Sequence, residues 1–261
     1  LHNHDVRITT HYYENNLESA IFSTIHEAGH AIYEMGIDDK YTQTILGAGT
    51  SCGIHESQSR FFENMVGRSE DFWSPIYGKL VDLFPEQLIE INLVDFIKGI
   101  NKVEPGLVRV DADELTYCLH VMVRYEIEKL FIENEVDVYE LPGIWNEKYR
   151  EYLGITPETD SEGILQDIHW SMGAVGYFPS YALGKAFAAQ MYHQMKKDIP
   201  VDTLLKDGKL ESIVSYLGEH VHKYGASKDA MNILRDMTGE SFNVDYYITY
   251  LKEKYTKLYN L

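Results

Sequence analysis

Apolar residues recur at three- and four-residue spacing over most of the 261-residue chain, the period of helices that bury one face. The first stripe, Leu17, Ile21, Ile25, Ala28 and Ile32, predicts a helix that ends near Gly36. Asn15, with Glu18 three residues on, makes a capping-box-like start for it. Residues 41–53, YTQTILGAGTSCG, lose the helical period and are rich in Thr, Ile and Gly, which predicts a short exposed strand and a turn. A second helix is predicted from about His55, and others near 72–83 and 86–99. VEPGLVRV, residues 103–110, reads as a second short strand. Asp111 and Glu114 predict the cap of a long helix running to about Asn134, with Leu115, Leu119, Val123, Ile127 and Leu130 on one face. Helical patterns return near 142–153, 179–197, 208–224, 229–237 and 243–258. Neither an internal repeat nor a composition break divides the chain, so the expectation is one mainly α domain over residues 1–261 with a small strand element.

Composition narrows the chemistry. The 261 residues are enough to bury a sizeable core, and 44% hydrophobic with 25% charged residues is an ordinary globular mixture. Against 23 Lys and Arg stand 41 Asp and Glu, a net charge of −18, which opposes wrapping a polyanion and excludes a nucleic acid partner. No run approaches the roughly 20 apolar residues that span a bilayer, and LHNHDVRITTHYYENN has no apolar signal core, so no membrane partner is expected. Cys52 and Cys118 allow at most one disulfide, which points to a reducing, cytoplasmic setting. The chain opens at Leu1 without an initiator Met and reads as though taken from the interior of something longer.

The strongest chemical signal is His26-Glu27-Ala28-Gly29-His30 inside the first helix. Positions i and i+4 share a helix face, so two imidazoles converge on one divalent ion while Glu27 adjoins it as a proton acceptor. Such a site needs a third protein ligand and an open position for water. Glu34 lies about 12 Å of helical rise from His26, too far to share its ion. The next helix opens His55-Glu56-Ser57-Gln58, and Glu56 is taken as the third ligand, with Glu63 as its competitor and His55 lining the site.

HEAGH followed by HESQ resembles the M32 family of metallocarboxypeptidases, the carboxypeptidase Taq type. The similarity extends through DVRITT (5–10), VRVDAD (108–113) and GILQDIHW (163–170), five motifs in the family's order. It implies a helical zincin lobe of the neurolysin and angiotensin-converting-enzyme group, with a small β-sheet beside the metal site, and usually a homodimer. It also implies one divalent ion, Zn2+ or Co2+, and removal of C-terminal residues from peptides with a free carboxylate. Family members are about twice this length, and their HPF motif has no counterpart, so the chain resembles the C-terminal half, a single catalytic lobe without the N-terminal one. Two other readings follow: a metal-binding but inactive piece acting only with another chain, and a helical oligopeptidase cutting internal bonds.

A tetrahedral intermediate needs donors for its oxyanion. His169, Tyr177 and Tyr181 are the candidates, and the resemblance favours Tyr181. Arg109 and Arg7 lie within family motifs and suit bidentate recognition of the substrate carboxylate. Arg109 is the stronger choice; the bland alternative for either is a structural ion pair with Asp5, Asp111 or Asp113. Asp113, Glu114 and Arg124 could stand behind the site, and Asp167 could orient His169.

Overall fold

A computed structural model describes residues 2–133 and 135–261. Its helices are α1 (Leu17–Met35), α2 (Cys52–Arg60), α3 (Glu70–Trp73), α4 (Tyr77–Leu83), α5 (Pro85–Leu88) and α6 (Leu93–Ile100). There follow α7 (Tyr117–Ile132), α8 (Leu141–Leu153), α9 (Pro179–Asp198), α10 (Val201–Lys206), α11 (Leu210–His220), α12 (Ala230–Thr238) and α13 (Asp245–Tyr259). Two compact units result, one of residues 1–100 with 183–261 and one of residues 101–182.

In the first unit, Phe22 of α1 packs with Trp73, Tyr77, Leu80, Leu88, Ile97 and Ile100, and Leu17, Ile21 and Ile25 lean on that cluster. These are the i, i+4 positions of the expected stripe, and their burial holds α1 in place. The cap is Asn16 rather than Asn15, its side chain accepting from Ser19 N at 2.9 Å. In the second unit, Val123 and Ile127 of α7 pack on Leu141, Trp145, Tyr149 and Leu153 of α8. Asp113, not Asp111, caps the approach to α7, accepting from the backbone N–H groups of Leu115 at 2.9 Å and Thr116 at 3.0 Å. The helix end expected at Asn134 lies outside the described residues. Helix α10 went unforeseen because six residues are too few to show a period.

The expected β-sheet is a correction. Among the described residues the β-type pairing is a single bridge between His2 and Asp5. Residues 41–53 instead close on themselves: Thr44 N and Gly47 N donate to Tyr41 O at 2.9 Å and Thr44 O at 3.0 Å, and Ser51 then caps α2. In 103–110 no strand partners Arg109, whose N–H donates to the side chain of Gln166 at 2.8 Å as the chain enters a 3-10 turn. β-propensity without a neighbouring ladder yields no sheet.

Behind α1 and α2 the His222 imidazole is fully buried, its Nε2 2.9 Å from Gln58 Oε1 and its ring against Tyr33. Burial, and then the charge of His55, pushes its pKa down from 6.5 to about 3. The unfolded chain therefore takes up this proton first as pH falls. Stability should be whole above pH 6.5 and drain between there and about 3, by up to about 1.4 kcal/mol per pH unit. Urea midpoints measured from pH 7 to 5 should fall less steeply in His222→Gln; an unchanged slope would contradict this.

Candidate metal centre

His26 and His30 project from one face of α1 toward the start of α2. Glu56 Oε2 lies 3.8 Å from His26 Nε2 and 3.5 Å from His30 Nε2. All three ligand atoms fall within 4.8 Å of one another. A tetrahedral ion with bonds near 2.1 Å separates its ligands by roughly 3.4 Å, so the cluster is slightly open but correctly shaped for a divalent cation. The rest of each side chain is already engaged, leaving those three atoms to converge. Glu56 Oε1 accepts from Arg60 Nε at 2.7 Å, His26 Nδ1 meets Glu63 Oε2 at 2.8 Å, and His30 Nδ1 meets His55 Nδ1 at 2.6 Å.

Charge supports the same fit. Burial alone would raise the Glu56 carboxyl, but Arg60 first, then His30 and His26, hold it well below the usual carboxylate range. Glu63 is held down in the same way by Arg60 and His26. Two buried carboxylates thus share the Arg60 guanidinium, and a cation beside Glu56 would add to that compensation. Glu63, on the widened π turn Phe61–Val66 that continues α2, serves His26 from behind. Glu27 follows His26 on α1 and is half-buried.

Sequence reasoning passed over Arg60, although it stands four residues after Glu56 and three before Glu63, spacings at which helical side chains meet. It also passed over two glycines. A Cβ on Gly29 would come within 2.6 Å of Ser59 Cα and 2.7 Å of Gln58 O, and one on Gly184 of α9 within 2.6 Å of Glu56 Cγ. Gly29 lets α2 approach α1 closely enough for Glu56 to reach the histidines. Ala at Gly29 would gain up to about 1 kcal/mol of helix propensity, but the clash is with backbone that cannot rotate away and costs about 1–3 kcal/mol. Gly29→Ala should therefore melt several degrees lower and bind divalent ions more weakly; equal thermal stability and affinity would refute the packing argument.

Arg7 is an exposed side chain (73%) paired with Asp5 at 2.8 Å. In the second unit His169 Nε2 lies 3.1 Å from Tyr181 Oη, and the ring of Tyr177 packs on both. Burial, followed by the charge of Arg109, lowers the His169 pKa. Glu128 anchors this segment, accepting from Trp170 Nε1 at 2.8 Å and Gly176 N at 3.1 Å. Arg109 is buried; its Nε and Nη2 donate to Asp167 Oδ1 at 3.1 and 2.7 Å and its Nη1 to Tyr117 Oη at 2.8 Å. Asp167 also accepts from Arg124 Nε at 2.6 Å and stands 3.9 Å from His169 Nδ1. The partner of Arg109 is thus Asp167, and not Asp111 or Asp113.

Two imidazoles from an HExxH helix and a carboxylate from the following helix make the donor set by which zincin-type metallopeptidases are defined. The chain belongs to the Carboxypeptidase Taq (M32) metallopeptidase family, whose profile it matches over residues 1–255. It is 53% identical over 258 residues to Carboxypeptidase 1 of Bacillus subtilis, covering 98% of this chain and 52% of that protein. It is 40% identical over 256 residues to Thermostable carboxypeptidase 1 of Thermus thermophilus, covering 98% of this chain and 50% of that protein. The M32 carboxypeptidase structure from Deinococcus radiodurans R1 superposes with a TM-score of 0.97 at 38% identity, over all of this chain and 53% of that one. The chain spans about half the length of the curated relatives it matches.

Proposed function

We propose that this chain carries the catalytic metal site of a carboxypeptidase that removes C-terminal amino acids from peptides. The observation that carries the proposal is the convergence of His26 Nε2, His30 Nε2 and Glu56 Oε2, with every other polar atom of those side chains held from behind. A divalent ion there, Zn2+ by the donor set and with Co2+ as its substitute, would supply Lewis-acid activation of water and of the scissile carbonyl. Glu27, beside the ligands on α1, accepts the water's proton and returns it to the leaving amine. In the second unit Tyr181 Oη is held 3.1 Å from His169 Nε2 with Tyr177 packed on the pair, an arrangement that supports a hydroxyl kept in place as a hydrogen-bond donor.

For the substrate carboxylate the geometry favours Arg7 over Arg109. Arg109 has all three of its nitrogens engaged in a buried network, whereas the Arg7–Asp5 pair is exposed and is exchanged at little cost. The test is release of C-terminal residues from free and amidated peptides, with zinc or cobalt restored after chelation. Hydrolysis of the free peptides alone supports a carboxypeptidase, and equal cleavage of both overturns it in favour of an oligopeptidase. Arg7→Ala should raise KM for the free peptides with kcat kept.

Two cysteines in 261 residues allow at most one disulfide, which supports a cytoplasmic setting. No helix among the described residues is long and apolar enough to cross a membrane. Leu115, Met122, Tyr125 and Ile132 expose apolar surface at helical spacing in and around α7, which supports a homodimer; sedimentation showing only monomer would refute it.

A further inference from the structure

The two histidines of the metal centre are supported unequally. His26 Nδ1 reaches a carboxylate directly, Glu63 Oε2 at 2.8 Å. His30 Nδ1 reaches one only through a second ring: His55 Nδ1 at 2.6 Å, then from His55 Nε2 to Glu34 Oε1 at 2.7 Å. We propose that Glu34 and His55 form a relay of positioning residues that fixes the proton of His30 on Nδ1 and thereby sets its strength as a metal ligand. The relay rests on the metal site proposed above.

Proton bookkeeping along the chain of contacts carries the argument. Two imidazole nitrogens in hydrogen-bond contact hold one proton between them. Glu34, as a carboxylate, only accepts, so the proton on His55 is on Nε2. With that hydrogen on Nε2, His55 turns the lone pair of its Nδ1 to His30, and His30 Nδ1–H is the donor. His30 Nε2 is left with its lone pair directed toward Glu56 Oε2, 3.5 Å away. Each donor has one acceptor. The opposite arrangement, with the hydrogen on His30 Nε2, would block the metal.

His55 is held for this role from several sides. Its ring lies 4.7 Å from that of His30 and 5.0 Å from that of Tyr33. A Cβ on Gly49 would come within 2.6 Å of His55 Cδ2, so the glycine leaves room for the ring. The N–H of that same glycine donates to Glu34 Oε1 at 3.2 Å, fixing the carboxylate that ends the relay. Glu34 lies one helical turn beyond His30 on α1: too far from His26 to be a ligand, it still acts on the metal through His55.

The test is Co2+ affinity by chelator competition, with circular dichroism to confirm equal helicity. Loss of an outer partner typically costs about 10–100-fold in metal affinity. His55→Ala should fall in that range, and Glu34→Ala at its lower end, about tenfold. Glu34→Gln keeps an acceptor oxygen and should restore most of the affinity. Because Glu34 acts through His55, the double variant should bind no more weakly than His55→Ala alone. Glu34→Ala within twofold of the parent, or a Glu34 effect that adds in full to that of His55→Ala, overturns the relay. Long-range 1H–15N histidine spectra of the zinc-loaded parent need no substitution: they should show His30 protonated at Nδ1 and His55 at Nε2 only, and a doubly protonated His55 overturns the proposal. A parent that takes up no ion, or a Glu56→Ala variant that binds as tightly as the parent, overturns the metal site itself; failure of the relay alone leaves both of those measurements intact.

Discussion

Glu27→Gln should keep one bound divalent ion per chain while losing about 10²–10⁴-fold in kcat/KM in the active form of the protein. Glu27 lies next to His26 on α1, but its carboxylate is not among the three converging ligand atoms. Removing its ability to accept a proton therefore leaves the donor set whole. The amide of Gln is nearly the same size and cannot take a proton from water, so the substitution isolates proton transfer from packing. Metal content and peptide hydrolysis measured on one preparation separate the two effects. A rate within tenfold of the parent would assign proton transfer to another group, and loss of metal would make Glu27 a ligand.

Glu56→Ala should produce the largest loss of metal affinity of any single substitution in the chain, exceeding the roughly 10–100-fold typical of an outer partner. It deletes a ligand atom, and it also strips Arg60 Nε of its 2.7 Å acceptor. The guanidinium, paired with Glu63 at 3.0 Å, would then stand beside the two imidazoles and face the cation. Competition with a chelator of known affinity measures the loss, and affinity within threefold of the parent would remove Glu56 from the donor set.

Much of this centre was legible because it depends on local periodicity. His26 and His30 share a face whatever the helix packs against, and the apolar stripe from Leu17 to Ile32 announces that helix by its 3.6-residue period. The positions of the helices were close for the same reason: α8 at Leu141–Leu153 and α9 at Pro179–Asp198 differ by a residue from the expected spans. The sheet failed because strand propensity is a demand for a neighbour, and here the N–H of Arg109 met the side chain of Gln166, 57 residues away.

The amino-acid sequence by itself determined the helical class, the M32 motifs and the pairing of two imidazoles on one helix face, since each is set by spacings of a few residues. Tertiary structure alone decided how those groups are held. That Glu63 backs His26, that Arg60 is shared by two carboxylates, and that Gly29 and Gly184 give Glu56 its place depend on how closely α1, α2 and α9 approach one another. The same holds for Arg109, whose partner Asp167 is 58 residues distant. Hydrogen bonds and steric clearance act over about 3 Å, and only packing brings residues so far apart in the chain within that range.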